Sequence, residues 1–279
     1  MLKEKKCFII SATSDIGEAI AYKFAKAGVS ILYLHGRNQF HLEKISNECS
    51  KYGSKCFIFN CDLCESSQVC KMKNQICQTM SNDNINLDIF VFCAGGLGDM
   101  DPISFLRIEQ DFLKIFQLNF LSCVDLFDFL TPKFSSNSSA VFITSTNTFV
   151  PLECGSSYCT SKCAIKEFMK SKAIELGIKG IRVNSIAPGI VETKLHNQYF
   201  ENKEELVNFF DKCKKEHPLG RIATCDGIAN TAMFLCSDLA CDITGSETII
   251  DCGETLTIKE KAGESSYSNY SSDSNNIDE

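Results

Sequence analysis

The chain has 279 residues, of which 44% are hydrophobic, and it carries a formal net charge of −7. This length and apolar content suit one large domain with a full-sized core. The acidic balance, without a long basic run, argues against a nucleic-acid partner. No apolar run approaches the roughly 20 residues that cross a bilayer, and no cleavage site follows the short apolar run near the start. We therefore predict a cytoplasmic protein with no nucleic-acid or membrane partner.

The 17 cysteines are spread along the chain. In a small secreted protein they would indicate a disulfide framework, but a chain of this length without an export signal favours small buried side chains. Cys61 and Cys64 have the spacing of metal ligands. A zinc site needs two further ligands at matching spacing, and the sequence does not supply them, so we predict no metal.

Apolar, strand-like runs alternate with helical patterns in chain order. Strands are predicted over residues 7–11, 29–35, 55–60, 87–93, 140–145, 181–187 and 247–251. Helices are predicted over residues 16–27, 40–52, 65–80, 103–133 and 156–176, with a long helical insertion after residue 187. This alternation predicts an α/β fold with a doubly wound parallel sheet covered by helices on both faces. A ligand is expected beyond the carboxyl ends of the strands.

The first 256 residues contain no linker, so we predict one domain over residues 1–256. Residues 257–279 are polar and low in complexity. Such a segment cannot bury enough apolar surface to offset its ordering entropy, so we predict a disordered tail.

Residues 9–20, IISATSDIGEAI, have the pattern of a strand end, a tight turn and a helix start. In a dinucleotide-binding fold this turn holds three glycines around a pyrophosphate. Here only Gly17 is present, and Ser11 and Asp15 occupy the other two positions. Asp15 can cap the helix, with Glu18 completing a capping box. Its carboxylate would repel a pyrophosphate unless it points to solvent.

The sequence YCTSK places Tyr158 and Lys162 four residues apart, on one face of a predicted helix. A cation beside a phenol lowers the phenol pKa, so Tyr158 could exchange a proton with a substrate oxygen near neutral pH. The alternative is a solvated helix face. Ser145 ends the preceding strand and could bond the same oxygen, or simply cap a turn. Asn119, in a largely apolar helix, is either a satisfied core amide or a holder of catalytic water.

Together these motifs resemble the short-chain dehydrogenase/reductase family over about residues 5–256. The other motifs that carry the resemblance are CDL at 61–63, CAGG at 93–96, RVNSIAPG at 182–189, PLGRIA at 218–223 and ITGSETIIDCG at 243–253. The resemblance implies a single-domain Rossmann-type fold of three αβα layers. Two departures stand out: FCAG replaces the family's NNAG at residues 92–95, and Cys252 replaces a glycine.

The resemblance also implies roles for individual residues. Tyr158 matches the catalytic acid/base, Lys162 its electrostatic partner and a ligand of the nicotinamide ribose, Ser145 the residue that orients the substrate oxygen, and Asn119 the residue that keeps a proton relay in place. Residues 194–217 match a mobile substrate lid. The positions that match cofactor-binding residues, besides Tyr158 and Lys162, are Ser11, Thr13, Ser14, Asp15, Ile16, Gly17, Arg37, Asp62, Leu63, Ala94, Gly95, Pro188, Gly189, Ile190 and Thr193.

Gly36 directly follows the second predicted strand, at the place where members that use NAD carry an acidic residue for the ribose hydroxyls. Arg37 follows, and arginine can pair bidentately with a 2′-phosphate. We therefore predict NADP(H) over NAD(H), the alternative for Arg37 being a surface residue in a turn.

The leading hypothesis is an NADP(H)-dependent oxidoreductase that acts on a small-molecule carbonyl or secondary alcohol. The alternative is a catalytically silent NADP(H)-binding regulatory protein on the same fold. The C-terminal motifs resemble 3-oxoacyl-[acyl-carrier-protein] reductases and several sugar, steroid and polyketide reductases alike, so the substrate stays open. The resemblance also implies a homotetramer or homodimer.

Overall fold

The computed structural model describes residues 1–82, 86–98 and 108–257. The strands are β1 (Lys6–Ile10), β2 (Ile31–Gly36), β3 (Lys55–Asn60), β4 (Leu87–Phe92), β5 (Phe134–Ile143), β6 (Arg182–Pro188) and β7 (Glu247–Ile250). The helices are α1 (Asp15–Lys26), α2 (Gln39–Ser50), α3 (Ser66–Asn82), α4 (Ile108–Phe116), α5 (Ser122–Leu130), α6 (Ser156–Gly177), α7 (Lys203–Glu216), α8 (Cys225–Cys236) and α9 (Glu254–Thr257).

The strands form one seven-stranded sheet in the order β3-β2-β1-β4-β5-β6-β7, and every neighbouring pair is parallel. All carboxyl ends therefore meet at one edge of the sheet. The strand order reverses between β1 and β4, which opens a crevice at that edge. The predicted α/β fold with a doubly wound parallel sheet is confirmed.

Two apolar clusters cover the two faces of the sheet. Because successive strand side chains point to opposite faces, Cys7 and Ile9 of β1 enter one cluster, and Phe8 and Ile10 enter the other. The first cluster contains buried side chains of α1, α2 and α8, and the second those of α3, α5 and α6. The sheet is thus the central layer of three, and its edge positions the turns that carry the functional residues.

The strand predictions agree with the structure within about two residues at most ends. The main exception is β5, which begins at Phe134 instead of residue 140 because its polar first half, FSSNSS, does not resemble a buried strand. The insertion predicted after residue 187 consists of a short 3-10 helix (Lys194–Tyr199), α7 and, further on, α8. The predicted tail, residues 257–279, lies outside the described residues except for its first residue.

The helix predicted over residues 103–133 is interrupted by a π-helical segment, Gln117–Leu121, between α4 and α5. Its first part, residues 103–107, lies outside the described residues. A π-helical turn is rare and often marks a functional position, and this one contains Asn119.

No helix in the described ranges is long and apolar enough to cross a membrane. Within the same ranges, no three His, Cys, Asp or Glu side chains are grouped so that they could hold a metal ion. All 17 cysteines carry free thiols.

Candidate active site

The turn after β1 keeps the backbone path of a glycine-rich loop although it has one glycine. Ser11 takes a left-handed conformation, with φ of 61°, which glycine adopts far more readily. Its carbonyl accepts a hydrogen bond of 2.8 Å from the Ser14 hydroxyl. A Cβ atom on Gly17 would collide with the same carbonyl, so the first turn of α1 lies directly against the loop. The helix N-terminus, which favours anions, is therefore placed at the crevice.

Asp15 does not cap α1, so that prediction was wrong. Ser14 is the cap: its backbone is extended and its hydroxyl accepts from the Gly17 amide at 3.1 Å. Asp15 is already helical, and its carboxylate reaches the lid segment instead. It accepts from the Lys194 amide at 2.8 Å and lies 3.3 Å from the Lys194 ammonium. A cation thus offsets the carboxylate beside the phosphate-binding turn.

His35, which sequence reasoning missed, holds this turn against the end of β3. Its side chain is buried, and its Nδ1 accepts from the Ser11 amide at 3.1 Å. Nε2 therefore carries the proton and donates to the Cys61 carbonyl at 3.1 Å. Burial lowers the pKa of His35 from 6.5 to about 4, so the ring is neutral in the folded protein near pH 7. One imidazole thus joins the ends of β1, β2 and β3.

The ends of β2 and β3 form the region predicted to bind the adenosine. A Cβ atom on Gly36 would lie 2.6 Å from both the Thr13 methyl and hydroxyl groups, so a larger residue there would require Thr13 to shift. Arg37 is exposed, and its carbonyl accepts from Asn60 at 2.9 Å. Asp62 is tied into the turn after β3, where its carboxylate accepts from the Cys64 amide at 2.9 Å.

Tyr158 and Ser145 meet at the carboxyl edge, next to the strand order reversal. Ser145 lies two residues beyond β5 and caps a 3-10 turn, Thr146–Thr148, so the functional and the capping interpretations both apply. Its hydroxyl donates to Asn147 Oδ1 at 3.0 Å and accepts from the Asn147 amide at 3.1 Å. Burial raises the pKa of Tyr158 to about 12, and the nearby Ser145 hydroxyl only partly opposes that rise.

The expected lowering of the tyrosine pKa by Lys162 is therefore wrong for this state of the site. The Lys162 ammonium lies 5.8 Å from the Tyr158 ring centre and donates to the Ile143 carbonyl at 2.9 Å. Burial lowers the pKa of Lys162 from 10.5 to about 8. A Cβ atom on Gly95 would be only 2.9 Å from this ammonium, so glycine keeps the space beside it open.

Asn119 is fully buried and its side chain is satisfied. Its Oδ1 accepts from the Gly96 amide at 2.9 Å, and its Nδ2 donates to the Gly96 carbonyl at 3.0 Å and to Ser161 Oγ at 2.9 Å. The side chain therefore ties the loop after β4 to α6, between Tyr158 and Lys162. Of the two alternatives for Asn119, the side-chain contacts match the satisfied core amide.

Pro188 ends β6, and the loop that follows begins with Gly189 and Ile190. Glu254, which sequence reasoning also missed, holds this loop. The Glu254 carboxylate accepts from the Ile190 amide at 3.1 Å, and a Cβ atom on Gly189 would collide with it. Burial raises the pKa of Glu254. No sequence pattern predicts a contact between positions 64 residues apart, so only the folded structure reveals this one.

The remaining predicted cofactor positions follow the carboxyl ends of strands: Ile16 comes after β1, Leu63 after β3, Ala94 after β4 and Thr193 after β6. Ile16 is half-buried, Leu63 and Ala94 are buried, and Thr193 precedes the 3-10 helix of the lid. Two features fit a dinucleotide: the helix N-terminus at the turn, and the strand reversal beside it. Of the two lid phenylalanines, Phe210 is buried and Phe209 packs beside it.

Comparisons with known proteins agree with this geometry. A family model described as Enoyl-(Acyl carrier protein) reductase, of the short-chain dehydrogenase/reductase class, matches residues 10–255. The 7alpha-hydroxysteroid dehydrogenase of Escherichia coli K12 is 29% identical over 254 residues, covering 89% of this chain and 93% of that protein. The L-rhamnose 1-dehydrogenase (NADP(+)) of Thermoplasma acidophilum is 27% identical, covering 92% and 98%.

Among solved structures, a short-chain dehydrogenase/reductase from Serratia marcescens superimposes with a TM-score of 0.79 at 24% identity, covering 91% of this chain and 99% of that one. This likeness establishes the fold. The family model covers nearly all of the predicted domain and supplies the activity class. The chain therefore belongs to the short-chain dehydrogenase/reductase family and is an oxidoreductase that acts on CH–OH groups.

Proposed function

We propose that this protein interconverts a small-molecule carbonyl and its secondary alcohol with NADP(H), and that Tyr158 is the acid/base. The observation that carries the proposal is the convergence of Ser145, Tyr158 and Lys162 beside Gly95 at the carboxyl edge of the sheet. A phenol, a hydroxyl and a cation brought together at the sheet edge can bind and protonate a reacting oxygen.

The nicotinamide supplies or accepts the hydride when it is bound. The chain's own groups handle the oxygen: the Ser145 hydroxyl orients it, and the Tyr158 phenol donates a proton to it during reduction. Because burial raises the pKa of Tyr158 to about 12, the phenol keeps its proton at neutral pH. That state suits carbonyl reduction. Lys162 would hold the nicotinamide ribose.

The preference for NADP(H) is supported by the end of β2. The close contact between Gly36 and Thr13 disfavours the acidic side chain that would bind free ribose hydroxyls, because Thr13 would have to shift. Exposed Arg37 follows directly and can pair with a 2′-phosphate. A curated relative named for NADP(+) dependence agrees with this proposal.

The test is a panel of ketones and secondary alcohols assayed with NADPH, NADH and their oxidised forms. We expect turnover with a higher kcat/KM for NADPH than for NADH. Tyr158→Phe should lower kcat by about 10²–10⁴-fold while NADPH still binds, because the ring keeps its packing but loses the proton. Unchanged turnover in Tyr158→Phe would refute the acid/base role. NADPH binding without turnover would instead favour the regulatory alternative.

The cytoplasmic location and the homotetramer or homodimer remain predictions. Fractionation of cells and sedimentation of the purified chain measure them directly. A monomer across the micromolar range would contradict the predicted assembly.

A further inference from the structure

A buried ion pair between Glu247 and Lys166 contacts the residues that flank Ser145. Glu247, the first residue of β7, contacts Lys166 of α6 at 2.8 Å, and their side chains are only 5% and 16% exposed. Both residues lie outside the set of side chains that converge on the substrate oxygen.

The Glu247 carboxylate holds the chain on both sides of Ser145. The Thr144 hydroxyl lies 2.6 Å from Oε1, and the Thr148 hydroxyl lies 3.2 Å from Oε2. The Thr148 hydroxyl is also 2.9 Å from the Ser145 carbonyl. A third hydroxyl, from Ser185 of β6, lies 3.2 Å from Oε1. One carboxylate thus joins β6, β7 and the turn that carries Ser145.

Lys166 connects the same pair to the helix of Tyr158. Residues 158, 162 and 166 follow each other at intervals of four, so they share one face of α6. The Lys166 ammonium lies 3.6 Å from the ring centre of Phe149, the residue that follows the Ser145 turn. The ion pair therefore spans the gap between the turn and the helix whose side chains must meet.

A buried ion pair is a poor source of stability, because desolvation offsets most of its attraction. The bonds of this pair to residues on both sides of Ser145 indicate a different use. We propose that Glu247 and Lys166 are positioning residues, which hold the Ser145 hydroxyl at the distance from Tyr158 that the reaction needs. This inference rests on the proposed function and adds two residues to the machinery behind it.

The test is a double-mutant cycle between Glu247 and Ser145. Glu247→Gln keeps the shape of the side chain but removes its charge. In the otherwise unchanged protein we expect kcat to fall about 10- to 100-fold, since small misplacements of a reacting group cost that much. The Kd for NADPH should stay within twofold. In a Ser145→Ala background the same substitution should have little further effect on kcat, because Glu247 acts through Ser145.

The matched control is Asp128→Asn. Asp128 pairs with Lys172 at 3.0 Å. Lys172 lies on the same helix as Lys166 and is equally buried, Asp128 is more exposed than Glu247, and within the described residues neither member of this pair bonds the Ser145 turn. This substitution should leave kcat unchanged. Thr148→Val provides a second approach that leaves the ion pair intact and removes one bond to the turn. It should lower kcat in the same direction as Glu247→Gln.

A readout independent of turnover is hydrogen exchange at the Asn147 amide, which donates to Ser145 Oγ. Glu247→Gln should speed this exchange, and Asp128→Asn should not. Equal losses of kcat with and without Ser145, or unchanged exchange at Asn147, would overturn the inference. Absence of turnover in the unmodified protein would instead refute the proposed function, while the exchange measurement would still decide the positioning role.

Discussion

At the scale of single residues, the structure shows how a loop can lose glycines without losing its path. Ser11 and Cys252 stand where the family has glycine, and both keep a left-handed backbone, with φ of 61° and 55°. Such a conformation costs a non-glycine residue roughly 1–2 kcal/mol. Hydrogen bonds around Ser11 offset that cost, because its amide donates to His35 and its carbonyl accepts from Ser14. A count of glycines in the sequence therefore underestimated how closely this turn keeps the backbone path of a glycine-rich loop.

The negative charge of Asp15 is predicted to weaken NADPH binding. Asp15→Asn keeps an acceptor for the Lys194 amide but removes the negative charge beside the phosphate-binding turn, leaving the Lys194 ammonium unopposed. We expect NADPH to bind about three- to tenfold more tightly at low ionic strength, with the gain shrinking as salt screens the charges. Calorimetric titration at two salt concentrations measures this.

The matched control is Glu192→Gln, which neutralises a more exposed carboxylate two residues before Lys194. It should change the Kd for NADPH by less than Asp15→Asn does. Equal or weaker binding in Asp15→Asn would show that the carboxylate helps to build a good turn.

At the scale of elements, His35 joins the ends of three strands, and its titration makes the stability of the protein depend on pH. Its pKa is lowered to about 4 in the folded protein, against 6.5 in an unfolded chain. Below pH 6.5 the unfolded chain therefore binds a proton at His35 that the folded protein does not bind until the pH falls further. The stability that depends on neutral His35 is complete above pH 6.5 and is lost as the pH falls towards 4.

We expect this coupling to remove about 2 kcal/mol of stability between pH 7.5 and pH 5. His35→Asn retains an acceptor for the Ser11 amide and cannot titrate. The variant should be less stable at pH 7.5 but should lose less stability on going to pH 5. Urea unfolding at both pH values compares the two proteins. A variant with the same pH dependence as the original would contradict the coupling.

At the scale of the whole molecule, the alternation of strands and helices was enough to predict the sheet, because hydrophobic periodicity reflects burial on two faces. The motifs also predicted which strand ends carry Ser145 and Arg37. Contacts between distant segments could not be predicted. The bonds of Glu254 to Ile190 and of Asp15 to Lys194 join positions that only the folded chain brings together. For the same reason the burial that raises the Tyr158 pKa was not foreseen.

The cysteines allow a prediction for the molecule as a whole. All 17 thiols are free, and only Cys70, Cys77, Cys154 and Cys241 are exposed. A thiol reagent should modify these four first in the native protein, because burial shields most of the others. After unfolding without a reductant, it should modify all 17. A lower total would reveal disulfides and contradict the structure.

The contact between Gly36 and Thr13 also has a consequence for how cofactor preference could change during evolution. An acidic residue at position 36 would meet Thr13 at 2.6 Å before it could reach a ribose. The Thr13 side chain must therefore rotate away, or position 13 must become smaller, for position 36 to gain a carboxylate. A lineage that first gains a smaller residue at position 13 avoids this clash.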